Sequence, residues 1–83
     1  MVEGMEVFQL YPNPALSGQF IQVHKPAGTP DVWTWEIWGG NGRKVTSGLA
    51  SGPSAILPTA TLPSGAYLFR IPELGQSRRL LIQ

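Results

Sequence analysis

Glycine and proline interrupt this chain every few residues, and that punctuation limits what it can become. Ten glycines and eight prolines are spread over 83 residues. They leave no gap for a long amphipathic helix with proper caps. Several of the short stretches between them alternate apolar with polar residues, the period of a half-buried strand. No apolar run approaches the roughly 18 residues of a membrane-spanning helix. A chain this short forms one domain and buries only roughly 60–65% of its unfolded surface. Cysteine is absent, so neither a disulfide nor a thiolate-held metal reinforces that modest core. The formal net charge is +1, which argues against a strong electrostatic grip on nucleic acid or anionic lipid. The opening MVEGMEVF lacks the basic start and apolar stretch of a secretory signal.

The clearest strand signal is residues 62–71, LPSGAYLFRI, answered by residues 78–83, RRLLIQ. Pro63 and Gly65 give the first four residues turn chemistry. Tyr67, Phe69 and Ile71 then share one face, and Ala66, Leu68 and Arg70 the other; Arg70 marks the wet side. In the last strand Leu80 and Ile82 face the core. The sequence ends on this strand, so a closing segment built into the sheet is expected.

Before these, residues 6–10 read as a first strand with Phe8 and Leu10 inward, after a lead-in over residues 1–5. Tyr11-Pro12-Asn13-Pro14 ends it, because the two prolines remove donors and hold the backbone extended. Asn13 is expected to fold its side chain onto nearby backbone. Residues 18–24 form a second strand with Ile21 and Val23 inward, and residues 25–30 a loop. Residues 32–38 form a third, with Trp33, Trp35 and Ile37 on the core face and Trp38 opposite, exposed or at an edge. Asn41-Gly42 is a strong hairpin signal, returning through residues 43–46. Residues 47–54 read as a Gly/Ser-rich loop, and residues 55–57 as a fifth strand cut by Pro58. Some seven short antiparallel strands at this spacing imply an all-β, Ig-like sandwich over residues 6–83.

Enzymatic machinery is hard to assemble here. His24 is the one histidine, which excludes His-based triads and multi-His metal sites within one chain. The acids Glu3, Glu6, Asp31, Glu36 and Glu73 lie on different segments, with no paired-carboxylate spacing. Residues 39–42 resemble a phosphate loop in composition only, since they join two strands and open onto no helix. No catalytic residue, metal or cofactor is expected. The pairs Arg43-Lys44 and Arg78-Arg79 read first as solvated edge charge.

The order of the motifs says more than any one of them. Leu10-Tyr11-Pro12-Asn13-Pro14, Gly42-Arg43-Lys44-Val45, Leu62-Pro63-Ser64-Gly65-Ala66-Tyr67 and Arg79-Leu80-Leu81-Ile82-Gln83 follow one another at domain length. This succession resembles the type A C-terminal sorting domain of cargo proteins of the type IX (Por) secretion system, over nearly the whole chain. The resemblance implies an Ig-like sandwich at the end of a larger Gram-negative protein, which reaches the periplasm by its own signal peptide. The domain is then recognised by the outer-membrane translocation machinery with its shuttle protein. A surface sortase typically removes it as the cargo is anchored at the cell surface or released. Recognition would fall on Arg43, Lys44 and the closing residues Arg79, Leu80, Leu81, Ile82 and Gln83. Tyr11, Pro12, Asn13, Pro14, Gly42, Leu62, Pro63, Gly65 and Tyr67 would serve the fold first. The family commonly carries Asp or Asn where this chain has Gly39, so an acceptor that would tie down the hairpin is missing. Contact through an exposed sheet edge, by strand addition, fits this reading, and such an edge can also pair two copies of the isolated domain. The competing readings are a carbohydrate-binding sandwich that stacks sugar on Trp38, and a passive spacer.

Overall fold

The computed structural model describes residues 8–25, 30–57, 59 and 62–83. Within them lie β1 (Gln9–Tyr11), β2 (Ile21–His24), β3 (Val32–Gly39), β4 (Lys44–Ser51), β5 (Ser54–Leu57), β6 (Gly65–Ile71) and β7 (Gln76–Ile82). A 3₁₀ turn, Pro72–Leu74, joins the last two. The strands form two antiparallel sheets, ordered β1-β2-β5 and β4-β3-β6-β7. Hairpins link β3 to β4 and β6 to β7, while β2 pairs with β5 and β3 with β6 across the sequence. This is the expected all-β, Ig-like sandwich, with the fourth strand held on the side of the third. The lead-in over residues 1–5, the start of the first strand, residues 26–29 and Pro58 lie outside the described residues.

Period-2 alternation builds the core. Trp33, Trp35 and Ile37 of β3, Phe69 and Ile71 of β6, and Leu80 and Ile82 of β7 point inward from one sheet. Phe8, Ile21, Val23 and Leu57 meet them from the other. Each such side chain contributes about 1.5–3 kcal/mol by leaving water. The Phe8 ring meets Phe69 edge-on at 5.3 Å, and Trp35 stacks on Phe69 at 6.3 Å. Burying Trp33 leaves its indole N–H in need of an acceptor, and the Gly52 carbonyl supplies one at 3.0 Å.

Three expectations need correction. The second strand starts at Ile21, because residues 16–19 form a turn in which Gly18 takes φ 86° and the Gln19 N–H donates to the Leu16 carbonyl. Phe20 is left exposed beside it. Residues 47–51 are not loop but the second half of β4. Gly48 lies opposite Trp35, and a Cβ there would sit 2.5 Å from the indole. The glycine is in a strand because the ring occupies its side-chain space. Finally, β7 begins at Gln76, since Gly75 at φ 63° closes the 3₁₀ turn early.

The turn before β6 has a further tie. The Tyr67 hydroxyl donates to the Pro63 carbonyl at 2.6 Å. A tyrosine bonding back four residues at the entry to the penultimate strand is the tyrosine corner of Ig-like sandwiches.

Candidate functional site

Residues 13–17 seal the outer edge of β7. Ala15 forms a parallel bridge with Ile82. Its N–H donates to the Leu81 carbonyl at 2.9 Å, the Gln83 N–H donates to the Ala15 carbonyl at 2.7 Å, and the Ser17 N–H donates to the Gln83 carbonyl at 2.7 Å. Asn13 extends the seal with its side chain. Its Nδ2 donates to the Arg79 carbonyl at 2.8 Å and its Oδ1 accepts the Leu81 N–H at 3.1 Å. The amide stands in for one residue of a missing strand. Asn13 was expected to bond locally; its partners lie 66 and 68 residues away instead. The Tyr11–Pro12 and Asn13–Pro14 peptide bonds are both cis.

Strand addition at the closing segment would therefore meet an edge that is already occupied. The Arg79 carbonyl and the N–H and carbonyl of Leu81 and Gln83 are already paired with residues 13–17. Leu80 and Ile82 are in the core, so within the folded domain they serve packing. Leu81, Arg79 and Gln83 are the closing residues exposed to solvent.

The register places Lys44 and Arg79 on one face. Trp38 lies opposite Lys44 on one side and Leu68 on the other, and Leu68 lies opposite Arg79. Lys44, Trp38, Leu68 and Arg79 therefore form one row across the outer face of the four-stranded sheet. In the next row Glu36 lies opposite Arg70. A β-bulge between Ile37 and Trp38 sets this alignment by shifting the β4 register. The Glu36 carboxylate accepts the Trp38 indole N–H at 3.0 Å and pairs with Lys44 at 3.8 Å and Arg70 at 3.9 Å. The Lys44 ammonium also sits 6.0 Å from the Trp38 ring centre. A groove of about 510 Å³ runs along this face, lined by residues that include Trp38, Gly42, Ala66, Tyr67, Leu68 and Arg79.

The hairpin at the groove's end is tied without the acid or amide expected at Gly39. Gly39 and Arg43 close the turn through an N–H to carbonyl bond of 2.7 Å, and Gly42 takes φ 81° to donate to the Gly39 carbonyl at 3.0 Å. Asn41 Oδ1 accepts the Arg43 N–H at 3.1 Å. Arg43 is exposed beside Gly42.

Of the three tryptophans, Trp33 and Trp35 are buried, which leaves Trp38 alone at the surface. Among the described residues no group of three His, Cys, Asp or Glu side chains is close enough to hold a metal ion, and His24 is exposed at the end of β2.

Glu73 was missed as a structural residue. Where β6 has ended, its carboxylate accepts the Thr34 N–H at 3.0 Å and the Thr34 hydroxyl at 2.9 Å. Partial desolvation pushes its carboxyl up, but the hydrogen bonds from the Thr34 N–H, its own N–H and the Thr34 hydroxyl together outweigh this and hold the pKa below its ordinary value.

Comparison with family models, with curated proteins and with solved structures finds no match for this chain. The functional reading therefore stands on motif order and on this geometry.

Proposed function

We propose that this chain is a sorting domain of the type IX secretion kind, an address label carried at the C-terminal end of a larger cargo protein. It acts by being recognised while folded, not by catalysis. Its partners are the outer-membrane translocation machinery and shuttle protein, a surface sortase that removes it, and the upstream cargo. Its route runs through the periplasm to the cell surface.

One observation carries this reading. Three of the four motifs converge on a single groove: Gly42 from the hairpin motif, Tyr67 from the LPSGAY motif and Arg79 from the closing motif all line it. The fourth motif holds the closing strand from outside through Asn13. The pairing of β3, β6 and β7 brings these motifs side by side on one face. Deleting residues 79–83 from a full cargo removes both the groove's Arg79 and the sealed strand, and the cargo is expected to stay in the periplasm. Normal export of that truncation contradicts the reading.

Glycan stacking keeps one observation in its favour, since Trp38 alone of the tryptophans lines the groove. Saturable shifts in tryptophan fluorescence on titration with polysaccharides would support it. Silence across a broad panel favours the label.

A further inference from the structure

We propose that the groove on the outer face of the four-stranded sheet docks an extended acidic peptide segment of a partner protein. An apolar side chain of that segment sits against Trp38 and Leu68, between carboxylates held near Lys44 and Arg79. The proposal deepens the sorting reading, by giving the chemistry its receptor must present, and rests on it for the partner's place in export.

The charge on this face is unbalanced. Lys44, Arg70 and Arg79 stand on it, against Glu36 and the Glu73 carboxylate held on Thr34. Glu36 is shared between Lys44 and Arg70 at 3.8 and 3.9 Å. Among the described residues Arg79 has no acidic partner, and it lines the groove. Between the cationic ends the row holds Trp38 and Leu68. Leu68 is 42% exposed, and the Trp38 indole N–H is tied to Glu36. A cationic, apolar, cationic sequence calls for its anionic complement.

Geometry narrows the partner further. Lys44 and Arg79 are three strand spacings apart, about 14 Å at roughly 4.8 Å each. An extended peptide covers that distance in four residues at about 3.3 Å each. Residues i, i+2 and i+4 of such a peptide point the same way. The fitting motif is therefore acid, any residue, apolar, any residue, acid. An anionic membrane is a poorer complement, because surface binding draws on clusters of some four to eight Lys/Arg, and of these cations Arg70 and Arg79 line a concave strip.

The test titrates the intact chain with a peptide containing Glu-Ser-Leu-Ser-Glu. Its Lys-Ser-Leu-Ser-Lys counterpart, a peptide with adjacent glutamates, and phosphatidylglycerol vesicles serve as controls. Tryptophan fluorescence and calorimetry are the readouts. The spaced acidic peptide is expected to bind saturably and better than all three controls. Arg79→Glu should weaken it by about tenfold or more, because it sets like charges against each other. Leu68→Ser should weaken it as well, and both variants should keep the parent's thermal melt. Arg79→Gln serves if the reversal unfolds the chain. Equal binding of acidic and basic peptides, no saturable binding, or tighter binding to the vesicles overturns the proposal. In cells, a reporter fused to this domain separates the two ideas. Export of wild type and Arg79→Glu alike overturns the docking site and leaves the sorting reading intact. Retention of the wild-type fusion, with peptide binding preserved, overturns the sorting reading instead.

Discussion

The four-stranded sheet has two outer edges, and the chain treats them in opposite ways. The β7 edge is closed by residues 13–17, through backbone pairing at Ala15 and Ser17 and the Asn13 side chain. The β4 edge has no strand beyond it among the described residues, and Leu49 there is 70% exposed. An unpaired edge is a template for further strands, and β1 and β5 are likewise the outer strands of the three-stranded sheet. On the proposed sorting reading, recognition would fall to the face of the sheet, where side chains, not free backbone groups, are on offer.

The largest expected contrast comes from truncating one residue on each edge strand. Leu80→Ala on β7 should cost about 2–5 kcal/mol in urea unfolding, because it opens a cavity in the core. Leu49→Ser on β4 should stay within about 0.5 kcal/mol, the usual range for an exposed site. Comparable losses at the two positions would erase the distinction.

Next is Gly48→Ala on β4. Its methyl would press on the Trp35 ring, and overpacking of this kind typically costs about 1–3 kcal/mol. Unchanged stability would mean that the indole moves aside at little cost.

Smaller again is Asn13→Ala. It removes two hydrogen bonds from the sealed edge, at about 1 kcal/mol apiece or less where water can replace them. The Leu81 amide, whose acceptor is Asn13 Oδ1, should exchange its hydrogen faster in deuterated buffer, while amides of β3 stay slow. Unchanged protection at Leu81 would remove Asn13 from the seal.

The smallest effect concerns Glu73, a second side chain standing where a strand has ended. Its pKa is lower in the folded state than in the unfolded chain. Its contribution is therefore present above the unfolded value and is lost as pH falls through the folded one. For so exposed a carboxylate, solvent screening keeps this below about 1 kcal/mol. The stability gap between the parent and Glu73→Gln should be widest at neutral pH and close on acidification. A gap that widens in acid would reverse the assignment.

Much of this architecture is legible in the sequence wherever alternation is strict. Trp33, Trp35 and Ile37, and likewise Phe69, Ile71, Leu80 and Ile82, show their inward face by spacing alone. Gly48 misleads, because composition cannot tell a flexible loop from a strand position that an opposing ring has filled. Asn13 misleads for a different reason. Its type favours local bonding, but its partners arrive only when the two ends of the chain meet. The row from Lys44 to Arg79 depends on register across four strands and on one bulge. Neither can be read from any single stretch.

The central claim is that the folded domain suffices as an export address. The direct measurement fuses residues 6–83 to a fluorescent passenger delivered to the periplasm, in cells with and without the translocation machinery, and scores surface or medium fluorescence. The account predicts passage only when both domain and machinery are present. Equal passage without the domain, or retention despite both, would contradict it.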